Sequence, residues 1–380
     1  MKRSAPATYF WTLDLIRFGS AVLVVLFHIS AYGGASPAWP APAAEAPLSA
    51  LQPIAWMGWV GVQIFFVLSG FVIAASARNC NASTFLKKRA IRLMPALWIS
   101  ASIALLVRVL WGESLGELGL AFLRTIVLSP KGPYIDGVVW TLAVEAIFYV
   151  ATTLVISFSS LIGGIDRALS KFAFALGLAS AAFTIVHLAA ETNLGGFGEI
   201  VPSESLSWFG FDVSLLRHGV FFALGILLFQ AIDNGIGRRT SLAVWALCAA
   251  CSLQILIKAG LSFAALVPIA CWALATVMIY LGAKHGHRLI KRDVRPIMRP
   301  IGLMTYPLYL NHFVLGQALL PILAGWISNS ALLGTVLMAI LLVNAWLIAQ
   351  FPEQWVQRHL KTALLGNTKR VPHRETEALA

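Results

Sequence analysis

Ten mostly apolar stretches, each about long enough to cross a membrane, run along the 380-residue chain. They fall at roughly 14–33, 54–77, 92–111, 138–161, 171–190, 214–232, 240–258, 261–282, 302–326 and 331–351. A helix needs about 20 residues to cross the hydrocarbon core. Runs this long and continuous are helices rather than the alternating strands of a barrel. A further apolar stretch, 117–128, is too short to span and reads as interfacial or re-entrant. The pattern predicts an all-α, polytopic membrane helical bundle of about ten transmembrane helices. The membrane domain covers 14–352, between a cytoplasmic N-terminal tail, 1–13, and a cytoplasmic C-terminal tail, 353–380. Residues 1–9 and 365–380 are expected to be loose.

Composition sharpens this picture. The chain is 59% apolar and 12% charged, against about 45–50% and about 25% in soluble domains. That excludes a disordered, fibrous or disulfide-scaffold protein. The net charge of +12 would suggest nucleic acid in a soluble chain, but its distribution argues otherwise. Of the 28 Lys and Arg, 22 lie at the termini or in every second loop. Loop 34–53 holds only Glu45, and loop 191–213 holds Glu191, Glu199, Glu204 and Asp212 without a basic residue. This asymmetry places both termini in the cytoplasm and requires an even number of spans. No nucleic-acid partner is expected; the partner is the lipid bilayer.

Several familiar signals carry little. Cys248 and Cys251 form a CxxC inside an apolar run and read as small helix residues. Lys2 and Arg3 precede an apolar stretch, but Asp14 and Arg17 interrupt its start, which argues against a cleaved leader. Asn81-Ala82-Ser83 fits a glycosylation triplet but falls on the cytoplasmic side. There is no Walker loop, GxGxxG, HExxH, metal-ligand set or evident internal repeat, so neither a metal nor a bound cofactor is expected.

Charged residues inside spans matter more, since each costs roughly 2.5–3.5 kcal/mol to insert. Arg108, His187, Arg217, His218 and Lys258 lie within a turn or two of an outer boundary and read as snorkelling residues. Three others lie deeper. His28 follows Arg17 by 11 residues, so the two share a face about 16 Å apart, with Asp14 about 40° off it. Glu145 lies about two turns into the fourth span, at a depth compatible with His28. The imidazole is its expected partner, with Glu145 holding the tautomer; a structural carboxylate is the alternative. His312 shares a face with Tyr309, past a Pro307 expected to kink the ninth span. It reads as lining a polar cavity or joining an interhelical hydrogen-bond cluster. On the cytoplasmic side, Lys87 and Lys88 read as topological anchors. Arg89 and Arg92 stand where the third span is expected to begin, and there a helix N-terminus would add amide donors for a phosphate.

Five patterns containing these residues occur in order along the chain: Leu13-Asp14 through Arg17 to His28; Phe65-Phe66-Val-Leu-Ser69-Gly70-Phe71; Arg89-x-x-Arg92-Leu-x-Pro95; Trp140-Thr141-Leu-x-x-Glu145-x-x-Phe148-Tyr149; and Tyr306-x-x-Tyr309-Leu-x-His312. Together they resemble the acyltransferase-3 family of integral membrane acyltransferases, in its stand-alone form. Arg217 with Phe222-Ala-Leu-Gly225 fits more weakly. The chain departs from the family at the end of its last span, where Phe351-Pro352-Glu353-Gln354 stands in place of Glu-Arg/Lys-Pro.

The resemblance implies transfer of an acyl group, most often acetyl, from cytoplasmic acyl-CoA to a hydroxyl of a glycan or lipid-linked sugar. It also implies a bacterial inner membrane. On this reading His28 and Glu145 are catalytic, and Arg17, Arg89, Arg92 and Ser69 bind acyl-CoA, the co-substrate. Asp14, Trp140, Thr141, Tyr149, Tyr309 and His312 line or support the cavity. A proton-coupled transporter is the rival reading and a non-catalytic scaffold a third.

Overall fold

A computed structural model describes residues 10–31, 48–235, 237–289 and 294–366. Of the segments expected to be loose, 1–9 and 365–380, residues 1–9 and 367–380 lie outside the described residues, as do Glu45 with residues 34–47 of its loop, and Lys291 with Arg292. Among the described residues the chain is helical and contains no strand. The membrane helices are α1 (Trp11–Leu26, continued by a π-helical turn, Phe27–Ala31), α2 (Val60–Ala77) and α3 (Ala82–Leu110). A short amphipathic α4 (Leu115–Ile126) is followed by α5 (Trp140–Phe158), α6 (Ile165–Glu191), α7 (Leu215–Asn234), α8 (Arg238–Lys258) and α9 (Leu266–Leu289). Then come α10 (Arg295–Asn311), α11 (Val314–Ala324), α12 (Ser330–Gln350) and α13 (Pro352–Leu365). Nine described helices are long and apolar enough to cross a membrane, and the apolar pair α10 and α11, bent by 77°, gives a tenth if it is counted as one broken span.

Three boundaries differ from the sequence expectation. The N-terminal helix begins at Trp11, three residues before the expected start of the membrane domain. The third span starts at Ala82, ten residues before the apolar run does, because the Asn81 side chain accepts the Thr84 N–H at 2.8 Å and caps the helix there. Arg89 and Arg92 therefore sit two to three turns inside α3, away from any N-terminal amides. The expected C-terminal tail is helical through Leu365. Pro352 occupies the first turn, where its missing N–H is harmless, and α13 packs against α3 and α12. Its polar residues interrupt the apolar run, so the sequence pattern gives no sign of this helix.

The core is organised around α2, whose apolar window is 83% buried, more than that of any other span. It crosses α7 at contact distance of the two backbones. A Cβ at Gly70 would lie 2.2 Å from the Phe222 carbonyl oxygen, and one at Gly225 would lie 2.1 Å from that of Val67. Lipid offers no hydrophobic drive between helices, so close packing of this kind supplies the association. Around this pair, α1 packs on α2, α9 and α10, while α3 packs on α5 and α10. The crossing holds Ser69 rigidly, and the surrounding helices enclose a cavity beside it.

The ninth span does not kink at Pro307, which lies inside α10. It breaks at His312–Phe313, where side chains replace two bonds of the helical ladder. The Tyr309 carbonyl, which a continuous helix would pair with Phe313 N–H, instead accepts from His312 Nδ1 at 2.7 Å. Val314 N–H, whose acceptor would be Leu310, donates to Asp136 Oδ2 at 3.2 Å.

Candidate active site

A cavity of about 870 Å³, counting its mouth, opens among α1, α2, α3, α5 and α10. Arg17, Arg89 and Arg92 line it together with Ser69, Glu145 and Tyr149, and Thr141, Phe65, Phe66, Tyr306 and Tyr309 complete the wall.

The three arginines differ in what already occupies them. Arg17 donates to Asp14 at 3.1 Å. Arg89 is 5% exposed and donates to Ser76 Oγ at 2.8 Å. Arg92 makes no hydrogen bond or ion pair among the described residues, so its guanidinium keeps its donors for whatever enters. Glu145 is the cavity's carboxylate. Ser69 Oγ donates to its Oε1 at 2.5 Å, and Tyr149 OH donates to the same oxygen at 2.6 Å. The Tyr309 hydroxyl pairs with Thr141 Oγ1 at 2.9 Å, and its ring meets that of Phe65 edge-on at 5.6 Å.

The expected pairing of His28 with Glu145 is not formed. Glu145 is held by two hydroxyls, whereas His28 pairs with His312, its Nδ1 lying 2.9 Å from His312 Nε2. The backbone fixes the tautomers. His312 Nδ1 faces the Tyr309 carbonyl, so it carries the proton and its Nε2 accepts. His28 Nδ1 also faces the Val24 carbonyl at 3.0 Å. It too is the protonated nitrogen, which leaves the ring's lone pair on Nε2. In the neutral pair His312 therefore takes the orienting role that the sequence suggested for Glu145. His28 itself stands in the π-helical turn that ends α1, a distortion frequent at functional sites.

Neither imidazole lines the cavity. His312 lies one aromatic layer behind it, its ring 5.6 Å from that of Tyr309. Asp14 and Trp140 are also off the lining. Asp14 serves Arg17, and Trp140 packs 5.4 Å from His218. His218 lies within the first turn of α7 as expected but does not snorkel, being 4% exposed and packed 5.0 Å from the Phe66 ring. His187 is buried as well. Arg217 pairs with Asp212 at 3.0 Å, and Lys258 lies over Trp59 at 4.6 Å. Arg108 forks onto Glu113, whose carboxyl it holds below the ordinary range by that hydrogen bond.

Two residues escaped the sequence reading. Tyr306 brings a buried hydroxyl without a hydrogen-bond partner to the cavity wall, and its place in the Tyr-x-x-Tyr pattern was the available signal. Asp136 is 3% exposed and caps both α11 and the turn before α5. Lying outside every span, it gave no signal. Burial pushes its carboxyl up to about 6. Among the described residues no group of His, Cys, Asp or Glu could hold a metal.

An acyltransferase domain family matches residues 10–350, nearly the whole described bundle. The chain belongs to the acyltransferase-3 family. Among acyltransferase-3 relatives, nodulation protein 10 of Rhizobium leguminosarum bv. viciae is 29% identical over 119 residues, covering 25% of this chain. That match covers 32% of the relative's length. No solved structure matches the chain.

Proposed function

We propose that the protein is a membrane acyltransferase that moves an acyl group, acetyl in the simplest case, from cytoplasmic acyl-CoA to a hydroxyl of an envelope or exported glycan or a lipid-linked sugar. The observation that carries this reading is the unspent guanidinium of Arg92. It faces, with Arg17 and Arg89, a cavity whose opposite wall is one aromatic layer from the His28–His312 pair. The phosphates of CoA supply the anions that three arginines would hold. The thioester arm reaches inward past Ser69 and Glu145 toward Tyr309. His28 Nε2 accepts the proton of the acceptor hydroxyl as its oxygen bonds to the thioester carbonyl carbon. The C–S bond breaks, and the CoA sulfur leaves and takes up a proton.

Purified protein in lipid vesicles with radiolabelled acetyl-CoA and a glycan extract tests this. Label should appear on a sugar, and His28→Ala should abolish that transfer while leaving insertion and CoA binding intact. Normal turnover by the variant overturns the assignment. Movement of a sugar across the vesicle without covalent change would instead establish transport.

A further inference from the structure

Each of the two carboxylate oxygens of Asp136 accepts one backbone N–H. Oδ1 takes Val138 N–H at 3.1 Å, in the turn that opens α5, and Oδ2 takes Val314 N–H at 3.2 Å, at the first residue of α11. The next residue seals the same junction, since a Cβ on Gly137 would lie 3.4 Å from the Phe313 ring. Phe313 in turn packs edge-on against His28 at 5.0 Å. Residues 136 and 137 therefore hold the two residues that follow His312, and one of those touches His28.

The segment carrying Asp136 is itself anchored. Ile135 N–H donates to Thr125 Oγ1 at 2.9 Å, and the Ile135 carbonyl accepts from Arg108 at 3.0 Å. The Gly132 carbonyl accepts from Arg124 at 2.6 Å. A carboxylate this rigidly mounted can set the position of a broken helix. At the break Val314 N–H donates to Asp136 instead of its helical acceptor, and the first residue before that junction whose side chain meets another span by a hydrogen bond is His312.

We propose that Asp136 is the positioning residue of the imidazole pair: by clamping the start of α11 to the start of α5 it fixes where His312 stands, and so the hydrogen bond that orients His28. The inference rests on the reading that His28 takes the acceptor's proton. Shape-conserving replacements distinguish its parts. Asparagine offers one acceptor oxygen and an amide that cannot accept, so it keeps one backbone bond; alanine keeps neither. Misplacement of a reacting group by about 1 Å can lower turnover about 100-fold.

The test uses full-length protein in lipid nanodiscs, with labelled acetyl-CoA and glycan extract. Asp136→Ala should lower kcat about 100-fold and Asp136→Asn about tenfold, with KM for acetyl-CoA unchanged within about twofold, because the arginines are untouched. In the background of His312→Gln, Asp136→Ala should cost less than about threefold more, since residues acting through one another are not additive. Nitrogen-15 spectra of the histidine rings should lose the hydrogen-bonded His28–His312 signature in Asp136→Ala and keep part of it in Asp136→Asn.

Normal kcat in Asp136→Ala, independent multiplication with His312→Gln, or unchanged ring signals would each overturn the proposal. Should the alanine variant fail to run as a monodisperse peak, the asparagine variant decides by the same three readings. If His28→Ala also turns over normally, the reading of His28 as base has failed. If His28→Ala is dead and Asp136→Ala normal, only the clamp has failed.

Discussion

The two ends of the site are built on different principles. At one end Arg17, Arg89 and Arg92 face one cavity, each with a different degree of prior engagement. Their chemistry is charge, which acts over several ångströms and tolerates displacement. At the other end two imbidazoles meet through one 2.9 Å contact, held by two carbonyls, an aromatic ring and a distant carboxylate. There the chemistry is a directed lone pair, which tolerates very little. On the proposed reading the binding end spreads its work over several side chains, whereas the proton-transfer end concentrates it in one geometry.

The sharpest way to break this contrast is to compare His28→Ala with Glu145→Gln. Loss of a general base lowers turnover by about 10²–10⁴-fold. Both hydroxyls on Glu145 converge on a single oxygen, so glutamine can accept both and forfeits only charge assistance. That difference of roughly 1 kcal/mol corresponds to a turnover loss of about tenfold or less. Equal losses in steady-state acetyl transfer would return Glu145 to the side of His28 and dissolve the division between the ends.

Arg92→Gln probes the tolerant end. Its donors have no partner among the described residues, so their removal should raise KM for acyl-CoA about tenfold and leave kcat within about twofold. The wild-type KM should also rise with salt more steeply than the variant's. A fall in kcat at saturating acyl-CoA would show that the arginines shape the reacting geometry as well.

The last effect concerns the stability of the clamp rather than turnover. The Asp136 carboxyl titrates at about 6 in the folded chain, raised by burial from 3.8. Well below both values, folded and unfolded chains hold this proton equally. As pH rises through the window the unfolded chain releases it first, so stability falls, by up to about 3 kcal/mol, and levels off above about 6. Asp136→Asn should remove this component from thermal midpoints measured in detergent between pH 4 and 7. Persistence of the full slope in the variant would place its origin elsewhere.

Much of this was legible along the chain. Apolar runs located the spans because lipid leaves a backbone few other options. The early start of α3 was missed because its cap lies among polar residues that a span search passes over. The partner of His28 was missed for a different reason. Helical pitch shows that Arg17 and His28 share a face, but not which neighbouring helix that face meets.

The sequence by itself determined the helical bundle and the residue types available for chemistry, because hydrophobic burial is a local property of a segment in a membrane. Only the tertiary structure decided the pairings. His28 meets a histidine 284 residues away, Glu145 meets two hydroxyls, and Asp136 governs a break in a helix it does not belong to. Hydrogen bonds depend on tenths of an ångström and on the rotation of each helix about its axis, and those are set only when all the helices pack together.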